Sequence, residues 1–265
     1  MARMPTYFIS HGGGPWPWIP EMREAFAPLE ESFLRMPGEL PERPKAVLMI
    51  SGHWEETDAY VVMHGANPPM LYDYHGFPPH TYDITYPAPG DPGLAERVAG
   101  LIEAAGLPTR LDDERGYDHG TFVPMAVTWP DADMPLVQLS MRSHYAPAEH
   151  LELGRALATL RDEGVLIVGS GLSYHNLRAF GPAAREPSEA FDLWLTETLS
   201  LPPDQRTARL MEWEKAPHAR ECHAREDHLV PLFTALGAAE GETATRTYHQ
   251  KMILGGVTAS SWRFG

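Results

Sequence analysis

Residues 46–54, AVLMISGHW, carry the strongest structural signal in the sequence, because an apolar strand runs directly into a histidine. Residues 47–50 are apolar at every position and too few to cross a membrane, which is typical of a strand inside a parallel sheet covered on both faces. In open α/β sheets, functional groups collect beyond the carboxyl ends of such strands. His53 follows at that position, although a single histidine there is more often a capping or core residue.

Two further segments repeat this arrangement. Residues 7–15 read YFISHGGGP and residues 165–176 read VLIVGSGLSYHN, so His11 and His175 also follow apolar strands. Glycine and serine at these junctions let the backbone turn sharply and approach a ligand. Neutral imidazoles that converge on one crevice are a usual way to hold a divalent transition metal. The repeated pattern therefore predicts a metal site.

The alternation of strands and helices along the chain predicts an α/β fold. With 265 residues, we expect a single domain over residues 1–265, with a central, mostly parallel sheet flanked by helices. Helices are predicted at 21–34, 94–105 and 147–163. Residues 67–92 are rich in proline, tyrosine and histidine, and we interpret this long loop as a site wall or a dimer arm, which leaves homo-oligomer formation open.

Charge and cysteine content limit the partners and the compartment. A formal net charge of -15 argues against nucleic acid and anionic membranes, since both attract basic surfaces. The single cysteine, Cys222, excludes an internal disulfide and fits a reducing compartment. No charged-then-apolar leader is visible at the N-terminus, so we expect a cytoplasmic location.

Four more histidines are candidates for the site. His119 follows an aspartate at the start of a predicted helix, where a turn role and a site role are equally compatible with the pattern. His218, His223 and His228 are spaced by five residues, which rotates a helix by about 140° per step, so at most one is expected to be a ligand. We select His228 because apolar residues follow it, and we expect the other two to be solvated.

Six short motifs follow one another along the chain: SHG at 10–12, SGHW at 51–54, YPAPG at 86–90, GYDHG at 116–120, HNL at 175–177 and EDHLVPL at 226–232. In this order they resemble the DOPA 4,5-dioxygenase branch of the class III extradiol ring-cleaving dioxygenases. The resemblance runs from about residue 5 to the C-terminus. It departs at the first motif, where Gly13 and Gly14 lengthen the turn before Pro15.

The resemblance implies a site and a reaction. His11, His53 and His228 match metal-ligand positions, His175 matches the acid–base histidine and His119 a second pocket histidine. Fe²⁺ is the cofactor expected for activity, and Zn²⁺ is an alternative bound metal that His175 would then also approach. The implied activity is the extradiol opening of a small catecholic, DOPA-like substrate with O₂.

Two other functions fit the same residues. One is a zinc-dependent hydrolase on the same fold, which would need neither iron nor oxygen. The other is a non-catalytic metal-binding protein, which the histidines beyond the ligand set disfavour. Arg178 is a candidate partner for an anionic substrate tail, although an arginine in such a loop is more often a surface ion-pair partner.

Overall fold

The computed structural model describes residues 2–265, and its centre is an eight-stranded sheet. The strands are β1 (Thr6–Ser10), β2 (Ala46–Glu56), β3 (Tyr60–Met63), β4 (Thr109–Asp112), β5 (Leu136–Arg142), β6 (Val165–Gly171), β7 (Ala244–Ile253) and β8 (Val257–Phe264). Their order in the sheet is β4-β3-β5-β2-β6-β1-β8-β7. Four neighbouring pairs are parallel and three are antiparallel. The predicted α/β fold with a mostly parallel sheet is confirmed.

Helices cover the sheet and bury its apolar strands. They are α1 (Pro20–Ala25), α2 (Ala27–Glu39), α3 (Pro92–Ala104), α4 (His119–Thr128), α5 (Pro147–Leu157), α6 (Arg185–Leu199), α7 (Pro203–Met211), α8 (Ala219–Cys222) and α9 (Val230–Gly237). Proline begins α1, α3, α5 and α7, where its missing N–H costs no helical hydrogen bond. The single helix predicted at 21–34 is interrupted at Phe26, because in a continuous helix Pro28 would have no N–H to donate to the Glu24 carbonyl oxygen and its ring would clash with that carbonyl.

The three neighbouring strands β2, β6 and β1 position the site. They run parallel, with Ser51 paired to Ser170 and Ser10 paired to Gly171. Because paired parallel strands end at the same level, the residues that follow them meet at one edge of the sheet. The β2–β5 ladder shifts register between Ile50 and Glu55, which is the irregular stretch that carries His53. Such an irregularity re-aims a side chain next to a site.

The long segment at 67–92 contains little regular structure. Its one helical turn is a 3₁₀-helix at Pro79–Tyr82. Hydrogen bonds within the segment order it: the Tyr74 hydroxyl donates to the Thr81 carbonyl oxygen, and the Tyr72 hydroxyl donates to the Ile84 carbonyl oxygen at 2.5 Å. Across residues 2–265, no helix has the length and apolarity needed to cross a membrane.

A buried histidine on α5 is held in its neutral form. The His150 Nδ1–H donates to the Ala146 carbonyl oxygen at 2.8 Å, and Nε2 accepts the Arg142 backbone N–H at 3.2 Å. Protonation of Nε2 would break the second bond. Burial lowers the pKa of His150 to about 4, from an ordinary value of 6.5. Since the unfolded chain takes up this proton first, the folded state loses stability as the pH falls from 6.5 towards 4.

We predict that His150→Gln reduces the acid sensitivity of folding. Glutamine does not titrate, so the difference in unfolding free energy between wild type and variant should shrink on acidification by about 1.4 kcal/mol per pH unit. At neutral pH the variant should be less stable by about 1–2 kcal/mol, because two buried hydrogen bonds are weakened. Urea unfolding of both metal-free proteins across this pH range measures the two effects. Parallel pH profiles would contradict the neutral assignment.

Candidate metal centre

Three imidazole nitrogens face one another at the edge where β1, β6 and β2 end. His53 Nε2 lies 3.3 Å from His11 Nε2 and 3.1 Å from His228 Nε2. His11 and His228 are each only 2% exposed. The structure therefore brings the three histidines with predicted ligand positions together, although His228 lies far from the other two in sequence.

Close backbone approach explains how His228 reaches the sheet edge. The Leu172 N–H donates to the His228 carbonyl oxygen at 2.9 Å, which ties the loop before α9 to the end of β6. A Cβ at Gly171 would lie 2.1 Å from that same oxygen, and one at Gly52 would lie 3.2 Å from the Asp227 carbonyl oxygen. Glycine is therefore required at Gly171, where a side chain would push His228 away, and a side chain at Gly52 would be tightly packed against the same loop.

The electrostatics of the cluster favour neutral imidazoles at two of the three positions. Burial, together with the neighbouring His53, lowers the pKa of His11 well below its ordinary value. Burial and the neighbouring His175 do the same for the pKa of His228. For His53, burial opposes protonation, but contact with Asp73 and the charge of Asp118 raise its pKa. The neutral Nε2 atoms of His11 and His228 therefore offer lone pairs rather than protons.

Two carboxylates orient these rings, and neither was predicted from the sequence. Asp73 Oδ2 lies 3.1 Å from His53 Nδ1, and Asp227 Oδ1 lies 3.1 Å from His228 Nδ1. A carboxylate can only accept, so these contacts favour the tautomers in which Nδ1 carries the hydrogen and Nε2 carries the lone pair. Such partners are the usual companions of metal-binding histidines.

The same two aspartates hold the two remaining pocket histidines. Asp73 Oδ1 accepts from His119 Nδ1 at 2.8 Å, and Asp227 Oδ1 lies 3.3 Å from His175 Nδ1. Each carboxylate therefore joins one histidine of the three-histidine cluster to one outside it. Although burial alone would raise the pKa of both aspartates, the histidine contacts lower it, so both remain ionised.

A buried hydrogen-bond network around Asp118 supports the backbone that carries His53. Asp118 is fully buried, accepts from the Ser51 hydroxyl at 2.8 Å and Arg115 Nη2 at 2.9 Å, and also accepts from Gln138 Nε2. Arg115 also donates to the His53 carbonyl oxygen at 3.3 Å. A buried carboxylate is costly unless it is paired, and here an arginine and two neutral donors satisfy it. The network fixes the backbone that carries His53.

The three clustered histidines and the two held by the aspartates, His119 and His175, line one cavity of about 410 Å³. The segment at 67–92 provides one wall through Tyr74, His75 and Phe77, as expected for a site wall. Phe77 packs against the lengthened turn at Gly14, where a Cβ would lie 2.5 Å from the ring and the backbone φ is +51°. The additional glycine therefore makes room for an aromatic wall residue.

Two expectations about individual residues are corrected. His223 is not solvated: it is fully buried, and its Nε2–H donates to the Ser173 carbonyl oxygen at 3.1 Å. Burial lowers the pKa of His223 to about 3. It pairs with His175 through a backbone bridge and so positions that residue. Arg178 is exposed and does not line the cavity, so it is not placed to neutralise a substrate tail there.

The donor set fits one divalent metal ion. Two nitrogens that each lie about 2.1 Å from one ion at a tetrahedral angle are about 3.4 Å apart, close to the two distances between the Nε2 atoms. Three imidazoles suit zinc and iron(II) alike, whereas magnesium and calcium prefer oxygen ligands. His11, His53 and His228 would hold the ion, and the lone pairs set by Asp73 and Asp227 already point at one another.

A parallel sheet whose strand ends carry this buried histidine cluster defines an α/β protein with a metal-binding pocket. Residues 6–265 match the family described as "Catalytic LigB subunit of aromatic ring-opening dioxygenase". The chain therefore belongs to this family, the class III extradiol dioxygenases, whose members are metal-dependent. The resemblance drawn from the motifs is confirmed.

Several curated relatives match over nearly their whole length. The chain is 37% identical to the dioxygenase tasH of Hapsidospora irregularis, with 100% of this chain and 86% of the relative covered. It is 36% identical to a 4,5-DOPA dioxygenase extradiol of Beta vulgaris, with 98% and 96% covered. A solved structure of an uncharacterized Escherichia coli K12 protein superposes with a TM-score of 0.79 at 31% identity, covering 99% of this chain and 100% of that chain.

We predict that Asp73→Asn and Asp227→Asn each weaken zinc binding by about 10- to 100-fold, because the amide can present a hydrogen to Nδ1 and favour the wrong tautomer. Competition with a chromophoric chelator measures the affinity. Asp83→Asn is the matched control, since Asp83 is exposed in the same segment. Affinities equal to that of the control would remove the orienting role from both aspartates.

Proposed function

We propose that the protein is a metal-dependent extradiol dioxygenase that opens the ring of a small catechol-type, DOPA-like substrate and incorporates both atoms of O₂. The observation that carries this proposal is the convergence of three histidine Nε2 atoms in a cavity with two more histidines, each held by a carboxylate. Family membership supports aromatic ring opening in general. The cavity volume suits one small substrate.

We assign the metal to His11, His53 and His228, with Fe²⁺ as the ion required for activity and Zn²⁺ as an alternative occupant. These three residues would hold the ion, and a bound ion would supply a place where a catechol and O₂ are brought together. The remaining work falls to the protein, which must exclude bulk water, orient the ring and move protons.

His175 is assigned as the acid–base residue. Its Nδ1 lies against Asp227, so the neutral ring carries its hydrogen there and leaves Nε2 as an acceptor on the cavity side. Nε2 can take the proton of a catechol hydroxyl, and the nearby carboxylate stabilises the imidazolium that forms. The same proton is then available for return during ring opening.

His119 is assigned a related role on the other side of the pocket. Its Nδ1 donates to Asp73, which again leaves Nε2 as an acceptor. Burial and the neighbouring His53 lower its pKa, so the ring is neutral at physiological pH. A neutral His119 is suited to hydrogen-bond a substrate hydroxyl and to act as a second base.

The function is tested by loading metal-free protein with Fe²⁺ under anaerobic conditions and then admitting oxygen with a panel of catechols. We expect one O₂ consumed per catechol and a new yellow chromophore from the ring-opened product. Hydrolysis of an ester or amide by the zinc-loaded protein, without oxygen uptake by the iron-loaded protein, would favour the zinc hydrolase. Tight metal binding with neither activity would favour a non-catalytic protein.

Substitutions of His228 and His175 distinguish the proposed metal ligand from the proposed acid–base residue. His228→Ala leaves two of the three assigned ligands, and we expect metal affinity to fall by at least about 10- to 100-fold. His175→Ala should retain the metal but slow turnover by about 10²- to 10⁴-fold, the usual contribution of a positioned proton-transfer group. Elemental analysis and oxygen uptake after iron loading are measured on both variants.

Because His175 lies against His228, the paired substitutions also test whether His175 is itself a metal ligand. Their rings stack with centroids 3.4 Å apart. Equal loss of metal in both variants would make His175 a ligand in a four-histidine site. Full activity of His175→Ala would transfer the base role to His119, where His119→Ala would then show the larger loss of rate.

A further inference from the structure

The cavity wall contains no cationic side chain that could bind a charged substrate tail. Among the described residues that line it, none is lysine or arginine, and the only carboxylate is Asp73. That carboxylate is already engaged by His53 and His119. His75 is exposed and is the one wall histidine outside the proposed ligand and base set, so a tail that carried an ammonium and a carboxylate would lose hydration with no partner for its ammonium.

The entrance of the cavity is apolar instead. Leu177, Phe180 and Leu254 line it and are 69%, 43% and 46% exposed. Single exposed leucines are ordinary on protein surfaces, but a group of large apolar side chains at the mouth of a cavity marks a binding surface. We call Leu177, Phe180 and Leu254 the apolar rim.

Two separate parts of the chain build the apolar rim and contact each other. Leu177 and Phe180 lie in the loop after β6, and Leu254 lies in the turn between β7 and β8. The segments meet at glycine, because a Cβ at Gly256 would lie 1.7 Å from the Gly181 carbonyl oxygen. Leu254 has a backbone φ of +47°, which is uncommon for a leucine and presents its side chain at the entrance.

We propose that the apolar rim binds an apolar substituent on the catechol, so that the preferred substrates are alkyl- or aryl-substituted catechols rather than catechols with a charged amino-acid tail. The inference rests on the proposed ring-opening function and revises its substrate, because catechols with an apolar tail replace the DOPA-like one. In this proposal the reacting diol faces the histidines. The substituent lies along the apolar side chains that line the cavity, towards Leu254. Each methylene that leaves water there adds to binding.

The test uses an n-alkylcatechol series from methyl to butyl, with L-DOPA as the charged counterpart of propylcatechol. We expect kcat/KM of the iron-loaded enzyme to rise about two- to fourfold with each methylene. The Kd of the metal-free protein, measured anaerobically by calorimetry, should fall by the same factor. L-DOPA should rank below propylcatechol in both measurements. A flat series, or a preference for L-DOPA, would overturn the proposal.

A double variant assigns the effect to the apolar rim. Leu177→Asn combined with Leu254→Asn introduces polar groups, and asparagine tolerates the left-handed backbone at position 254. In the double variant, the factor by which kcat/KM rises with each methylene should fall towards one. Leu34→Asn is the control, because Leu34 is also exposed, at 59%, but lies on α2 outside the cavity. Equal slopes in the two variants would remove the rim from substrate recognition.

The measurements of binding and of turnover distinguish failure of the ring-opening function from failure of the rim proposal. If no catechol is opened while the Kd of the metal-free protein still falls with chain length, the ring-opening function is wrong and the apolar rim is correct. If catechols are opened without any dependence on chain length, the function is correct and the rim proposal is wrong.

Discussion

The site depends on the parallel hydrogen-bonded register of β1, β6 and β2. Because these strands end at the same level, His11 and His53 lie close together. Leu172, directly after β6, is hydrogen-bonded to the backbone of His228. Gly52 and Gly171 then let the backbone of His228 pack directly on the strand ends. A shift of one residue in either ladder would turn the histidines to the opposite face of the sheet and remove the convergence.

Two shared carboxylates turn this cluster of histidines into a connected unit. Asp73 links His53 with His119, and Asp227 links His228 with His175. The proposed metal binding and the proposed proton transfer therefore involve the same two side chains. A change at one aspartate affects a proposed ligand and a proposed base at once, so its effects on affinity and rate are not expected to be additive.

Much of this arrangement could be predicted from the sequence, because apolar strands, glycine junctions and histidines are local patterns. The α/β fold and the histidines at one edge followed from them. Asp73 could not be assigned, since it lies 46 residues from His119 and only tertiary packing joins the two. His223 was misjudged for a similar reason: its five-residue spacing indicated a solvated side, but α8 ends at Cys222 and the chain turns inward there.

Different parts of the chain form the histidine cluster and the cavity entrance. His11 and His53 follow buried parallel strands of the sheet, whereas the entrance is formed by a loop and a hairpin turn that touch through Gly181 and Gly256. Substitutions in those two turns can alter which molecules enter without disturbing the strand register. Divergence in substrate range among relatives with the same metal centre is therefore expected to accumulate at this glycine contact and the residues beside it.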